Sequence, residues 1–269
     1  MLKNIDLLKI VQTAIKAGDG ILKIYEKDFD VEYKADDSPL TDADKVSNEI
    51  IINELNREYP DIPILSEESK EVPYEQRKNW DYFWLIDPLD GTKEFVKKNG
   101  EFTVNIALIH KGKPVLGVIA VPVKGTLYFG VEEVGSFKST CGSAVHSYKE
   151  LSQLIDDSER LPAISPDREY TIVGSRSHMS KETEEFIAKK EEEHGNVDIL
   201  SIGSSLKLCM VAEGRADIYP RFAPTMEWDT GAGHAIAEIS GAKVFEPIEN
   251  NPLQYNKENL LNPWFVVER

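Results

Sequence analysis

Apolar residues recur at three-to-four spacing from Leu2 to Tyr25, with Asp6, Lys9, Lys16 and Asp19 set among them, which predicts an amphipathic helix ending near Glu26. A second helix is predicted over about Ala43 to Glu58, introduced by Thr41 and carrying Asp44 early in its first turn. The period then shortens. Ile62-Pro63-Ile64-Leu65 and Tyr82 to Ile86 are short apolar runs. Phe102 to His110, Pro114 to Pro122 and Thr126 to Val131 alternate or run apolar, with Lys111-Gly112-Lys113 and Lys124-Gly125 between them, the pattern of antiparallel hairpins. An Asp/Ser/Pro-rich stretch, Ser152 to Asp167, interrupts the pattern. Beyond it strands and helices alternate: Tyr170 to Gly174, Lys181 to Glu193, Val197 to Ile202, Leu206 to Gly214 and Ala216 to Tyr219. The expectation is an α+β half over residues 1–151 and an α/β half over 152–269, packed as one unit. There is no internal repeat and no low-complexity tract.

A chain of 269 residues can bury a sizeable core. Its net charge of −16, with the basic residues dispersed, argues against a nucleic-acid partner, because a polyanion needs a basic stripe. A small anionic ligand is a different matter. Bound divalent ions and a few placed cations can reverse the local field whatever the global charge. Cys141 and Cys209 lie far apart without zinc or redox spacing, which implies a reduced, cytoplasmic compartment. No stretch is apolar for long enough to span a bilayer. The first helix is expected to pack on the core, with peripheral attachment at the inner face of the cell membrane as the weaker alternative. No stable protein partner is implied.

The chemistry concentrates in Trp84-Leu85-Ile86-Asp87-Pro88-Leu89-Asp90-Gly91-Thr92, where an apolar strand runs into two carboxylates. Pro88 cannot continue a ladder, so a bend is expected to turn Asp87, the Leu89 carbonyl and Asp90 toward one point. Two carboxylates that close repel unless a hard cation sits between them. Gly91 and Thr92 then open a short helix through Phe95, whose first amides suit phosphate. The plain alternative is a strand-to-helix turn. Ser66-Glu67-Glu68-Ser69 places more acids at a strand exit, with a solvated loop as its plain alternative. Met226-Glu227-Trp228-Asp229-Thr230-Gly231 sets Asp229 at the head of an Ala-rich segment reaching Ile239, where it could simply cap a helix.

Taken together, Ile86 to Thr92, Ser66-Glu67-Glu68 and Trp228-Asp229-Thr230-Gly231 resemble the signatures of the inositol monophosphatase superfamily of magnesium-dependent, lithium-sensitive phosphatases. Asp87 to Phe95, Asn99 to Ile109, Gly203-Ser204-Ser205-Leu206-Lys207 and Tyr219-Pro220-Arg221-Phe222 are similar to its bacterial 3'(2'),5'-bisphosphate nucleotidases of the CysQ type. The resemblance runs from the first helix to Leu261-Asn262-Pro263. It implies an α-β-α-β-α sandwich with the active site between the halves, two or three Mg2+ per site, and inhibition by Li+. On matching positions it implies that Glu67, Asp87 and the Leu89 carbonyl hold the first metal. Asp87, Asp90 and Asp229 would hold the second, and Glu67 would help with a third. Thr92 and Asp44 would position the attacking water, so that Asp44, Thr92 and Glu67 form the catalytic set. Read without the resemblance, Thr92 is a helix cap and Asp44 a first-turn acid favouring the macrodipole.

The substrate implied is a phosphorylated nucleotide, 3'-phosphoadenosine 5'-phosphate, hydrolysed to AMP and phosphate in a clearance step tied to sulfate assimilation. It would touch Glu67, Leu89, Asp90, Gly91, Thr92 and Asp229 at the metals, and Ser175, His178, Gly203, Ser204, Lys207 and Arg221 beyond them. Lys207 offers a point charge, Arg221 a fork for phosphate, and Ser175 a hydroxyl at a strand end. A histidine in the place of His178 is otherwise a polar surface residue. No cysteine, histidine or serine forms a nucleophile constellation, so direct attack by water is expected. His110, His146, His194 and His234 show no ligand spacing. The alternatives are an inositol monophosphatase or another sugar-phosphate phosphatase of the same superfamily, a scaffold that kept the fold without turnover, and an acidic metal store. Lys93-Glu94-Phe95 and the Gly-Ser-Ser-Leu-Lys segment favour the nucleotidase.

Overall fold

The computed structural model describes residues 4–27, 31–33, 39–163, 168–174 and 180–269. Helix α1 (Leu7–Tyr25) begins at Asp6, whose side chain accepts the Lys9 amide, and buries one continuous apolar face. A two-stranded ribbon, β1 (Glu32–Tyr33) with β2 (Pro39–Leu40), leads to α2 (Asp42–Glu58). There Thr41 and Asp44 form a capping box.

Seven strands follow in chain order: β3 (Ile64–Ser66), β4 (Tyr82–Asp90), β5 (Thr103–His110), β6 (Lys113–Val121), β7 (Thr126–Val131), β8 (Gly135–Ser139) and β9 (Glu159–Arg160). They lie side by side in that order, parallel between β3 and β4 and antiparallel elsewhere. The short helices α3 (Tyr74–Arg77), α4 (Thr92–Val96) and α5 (Leu151–Asp156) lie in the connections. The second sheet draws on β10 (Tyr170–Gly174), β11 (Val197–Ser201), β12 (Ile218–Arg221), β13 (Lys243–Phe245) and β14 (Phe265–Glu268), in the order β11-β10-β12-β14-β13. Its first three strands are parallel and the last two antiparallel to their neighbours. Helices α6 (Lys181–His194), α7 (Leu206–Glu213) and α8 (Glu227–Ile239) complete the chain.

Side-chain alternation sorts these elements into layers. In β4, Trp84 and Ile86 join the core under α1 and α2, while Phe83 and Leu85 join the core under α7 and α8. Strands β5 and β6 divide likewise, Ile106 and Val118 to one side and Ala107 and Ile119 to the other. A third core, Ile172, Ile187, Ile218 and Val266, joins α6 to the far face of the second sheet. The order is therefore α1/α2, seven-stranded sheet, α7/α8, five-stranded sheet, α6: the α-β-α-β-α sandwich. Helix α8 lies so close to the first sheet that a Cβ on Gly117 would stand 2.2 Å from the Ala232 carbonyl oxygen. Only glycine fits there.

The expected strands mostly appear within a residue or two, and one expectation is corrected. Strand β4 does not stop at Ile86. It runs through Pro88 to Asp90, with Asp87 opposite Asn105 and Asp90 opposite Thr103, so one extra residue is bulged out. Proline is tolerated because β3 ends opposite Ile86, leaving that edge of β4 without a ladder to break.

Candidate metal and phosphate site

The bulge aims Asp87 and Asp90 in different ways. Asp87 is buried, and its Oδ1 accepts the Leu89 amide at 3.0 Å. Glu67 follows β3, with its amide bonded to the Ile86 carbonyl at 3.2 Å, so parallel pairing carries its side chain beside Asp87. Asp229 arrives from the other half, on the first turn of α8. Carboxylate oxygens of Glu67, Asp87 and Asp229 lie within 4.8 Å of one another. Three elements distant in sequence thus converge on one all-oxygen cluster.

That convergence disfavours ionisation. Burial, then the charges of Glu67, Asp90, Asp229 and Asp44, push the Asp87 carboxyl well above the usual carboxylate range. Burial and the neighbouring Asp90 push Asp229 up to about 8. Asp90 is also raised by burial, against the attraction of Lys207. Hard carboxylate oxygens held together against their own repulsion fit a divalent cation such as magnesium, which would neutralise them.

Asp90 is not in the triad. Its Oδ2 accepts the Ser205 amide, with Thr103 Oγ1 at 3.4 Å and Asn105 Nδ2 at 3.5 Å. It borders the triad through charge and faces the cleft.

Asp44 serves two purposes with two oxygens. Oδ2 accepts the Thr41 amide and hydroxyl, each at 2.7 Å, fixing the start of α2. Oδ1 accepts the Thr92 hydroxyl at 3.3 Å. Asp229 behaves similarly, its Oδ2 accepting the Met226 amide at 2.8 Å while the carboxylate remains in the cluster. Capping and membership of the site coexist in both residues. The Leu89 carbonyl lies 3.4 Å from Thr92 Oγ1. Gly91 has φ +91°, and a Cβ there would stand 2.1 Å from Ser204 Oγ, so the strand-to-helix turn admits no side chain.

Beside the cluster opens a cleft of about 290 Å³, walled by residues 90–101 from one half and 202–230 from the other. Lys207 is buried there, its Nζ donating to the Ser204 carbonyl at 2.8 Å, and burial pushes its pKa down to about 8 against the pull of Asp90. Arg221 donates to the Pro224 carbonyl at 2.8 Å, and its buried Nε has no partner among the described residues. Gly203 and Ser204 line the cleft, but their donors already engage the first half. The Gly203 amide reaches Glu101 Oε2 at 2.9 Å, and Ser204 Oγ reaches the Glu101 carbonyl at 2.6 Å and the Asp90 carbonyl at 3.0 Å. Ser175 and His178 fall outside the described residues. His110 and His194 stack on tyrosines, His146 meets Asp19, and His234 lies between Tyr255 and Glu238.

Sequence reasoning gave no role to Glu101, Thr103 or Asn105, and placed Ser205 only within a run of phosphate-binding candidates, although these residues join the two walls. Their motif neighbours were visible, but the pairing of segments about 100 residues apart was not. Nor did it single out Glu227, two residues before Asp229, because nothing in the sequence marks that acid as fully buried.

The inositol monophosphatase family model matches residues 4–264. The chain is 45% identical over 262 residues to the 3'(2'),5'-bisphosphate nucleotidase CysQ of Shigella flexneri, covering 96% of this chain and 98% of that protein. The crystal structure of CysQ from Bacteroides thetaiotaomicron, a bacterial member of the inositol monophosphatase family, aligns with a TM-score of 0.89 and 51% identity, over 97% of this chain and 96% of that one. An inositol monophosphatase from Thermotoga maritima shares the fold alone, with a TM-score of 0.71 at 22% identity over 96% and 89% of the two chains.

Proposed function

The chain belongs to the inositol monophosphatase family of metal-dependent phosphatases, and from that premise we propose that it is a 3'(2'),5'-bisphosphate nucleotidase converting 3'-phosphoadenosine 5'-phosphate and water to AMP and phosphate. The observation that carries this reading is the convergence of Glu67, Asp87 and Asp229 beside a cleft lined by cations that include Lys207 and Arg221. A monophosphate needs only the metal end. Separate cations suit a ligand with a second phosphate.

Glu67, Asp87 and Asp229 would hold Mg2+, with the Leu89 carbonyl and Asp90 completing the oxygen donors. Bound there, the metal supplies Lewis acidity toward the phosphoryl oxygens and acidifies water. The protein's share is orientation. Thr92, fixed by donating to Asp44 Oδ1, leaves its oxygen lone pairs to accept a hydrogen bond from the attacking water. Asp44, which accepts from that hydroxyl, is the carboxylate to which the water's proton can pass through it. Water oxygen bonds to phosphorus, the 3' ester bond breaks, and the ribose oxygen gains a proton. Among the described residues that line the cleft there is no histidine or cysteine, and the reading is direct attack by water without a covalent intermediate. Arg221 and Lys207 would receive the 5'-phosphate, with Ser175 and His178 assigned to the nucleotide on the resemblance alone. No helix among the described residues is long and apolar enough to cross a membrane. Cys141 and Cys209 are free thiols, in keeping with a reduced cytoplasmic setting.

Phosphate release from 3'-phosphoadenosine 5'-phosphate and from inositol 1-phosphate, each with Mg2+ and with added Li+, tests the reading. The nucleotide should be preferred by about a hundredfold, which the second phosphate's contacts can supply, and Li+ should inhibit. Equal rates would identify a general inositol phosphatase instead.

A further inference from the structure

Glu67 and Asp229 come from opposite halves, and nothing in their own charges keeps them together. A continuous polar bridge, buried at Glu227 and Arg77 and partly buried between them, connects the segments that carry them. Glu227, the first residue of α8 and wholly buried, accepts the Lys257 ammonium at 2.6 Å and the Lys257 amide at 3.0 Å on Oε1. Its Oε2 accepts the Asn256 amide at 2.6 Å. Asn256 in turn exchanges hydrogen bonds with Arg77: its Nδ2 donates to the Arg77 carbonyl at 2.7 Å, and Arg77 Nη1 donates to its Oδ1 at 2.9 Å. The buried Arg77 guanidinium also donates to the carbonyls of Lys257 and Glu258, and through Nε to Val72, five residues beyond Glu67. None of these groups touches the carboxylate cluster.

We propose that Glu227 is a positioning residue. Through Lys257, Asn256 and Arg77 it fixes the start of α8 against the segment following Glu67, and so sets the spacing of Asp229 from Glu67 and the affinity of the cluster for a divalent cation. The inference rests on the metal reading of that cluster. A buried carboxylate that accepts an ammonium and two amides holds one geometry, because any shift leaves charge without a partner. Two residues along the same helical turn, Asp229 inherits that geometry through the backbone.

The test is calorimetric titration of the full chain with Mn2+, beside melting temperatures in EDTA, for wild type, Glu227→Gln, Lys257→Met and Lys138→Met. Glutamine keeps the volume of Glu227 but turns an amide toward donors. The Mn2+ dissociation constant should rise about tenfold for Glu227→Gln, the scale of lost outer support at metal sites. Lys257→Met should raise it by a smaller factor, and KM for the nucleotide at saturating metal should be unchanged for both. Lys138 pairs with buried Glu213 at 2.8 Å on other elements. Its variant should melt at lower temperature yet bind Mn2+ as wild type does. Should Glu227→Gln fail to fold, Lys257→Met decides alone, since its side chain is 27% exposed and tolerates change. Mn2+ affinity within about twofold of wild type in the folded variants overturns the proposal. Absence of Mn2+ binding by wild type overturns the metal reading itself.

Discussion

Asp87→Asn should lower kcat by about a thousandfold or more, the loss of roughly 4 kcal/mol of transition-state stabilisation, while the fold survives. Asparagine keeps an oxygen for the Leu89 amide, so the bulge in β4 has no reason to open. What disappears is the charge at the centre of the triad. The sign of the stability effect follows from the raised pKa. An acid whose folded-state pKa lies above its unfolded value costs stability as pH rises from the ordinary carboxylate range through the folded value. The metal-free wild type therefore bears more of that cost at pH 8 than at pH 5, and sheds it fully only below the ordinary carboxylate range. In EDTA the variant should melt at a higher temperature than wild type at pH 8, with the gap narrower at pH 5. Activity within tenfold of wild type would remove Asp87 from the ligand set.

Lys207→Met is expected to separate binding of the second phosphate from the chemistry. Charge-assisted hydrogen bonds to phosphate are worth about 1.5–3 kcal/mol, so kcat/KM for 3'-phosphoadenosine 5'-phosphate should fall by roughly ten- to a hundredfold. A substrate with only the 3'-phosphate should lose far less. The lysine is buried and its pKa is depressed to about 8, which means that folding opposes its charged form at neutral pH. Methionine removes that opposition and fills the same space, so the melting temperature at pH 7 should rise. Equal losses for both substrates would place Lys207 at the metals, through Asp90, and not at a second phosphate.

The sheets were legible because burial on both faces turns strands into near-continuous apolar runs, as from Thr103 to Ile109 and from Val115 to Val121. Helix α2 announced itself through Thr41 and Asp44, whose spacing is the capping box that the structure contains. The acids at strand exits were legible as candidates, since Asp87 and Glu67 follow apolar runs that β4 and β3 pair in parallel. The path of β4 past Pro88 was not, because whether proline breaks a strand depends on whether a neighbour is still there to lose a bond. The contacts of Gly203, Ser204 and Ser205 were hidden for a related reason. Their partners, Glu101, Asp90 and Asn105, are about 100 residues away, and no local propensity records such pairs. A single side chain reading also proved too narrow for Asp44 and Asp229, each of which caps a helix with one oxygen while the carboxylate stays at the site.

The account turns on acids from both halves of the chain sharing one divalent cation. Diffraction from crystals soaked in Mn2+, recorded at an energy where manganese scatters anomalously, tests this most directly. The predicted result is an anomalous peak bound by Glu67, Asp87 and Asp229 together, at the edge of the cleft that Asp90, Lys207 and Arg221 line. A saturated crystal with manganese only elsewhere, and those three carboxylates holding no common ion, would contradict it.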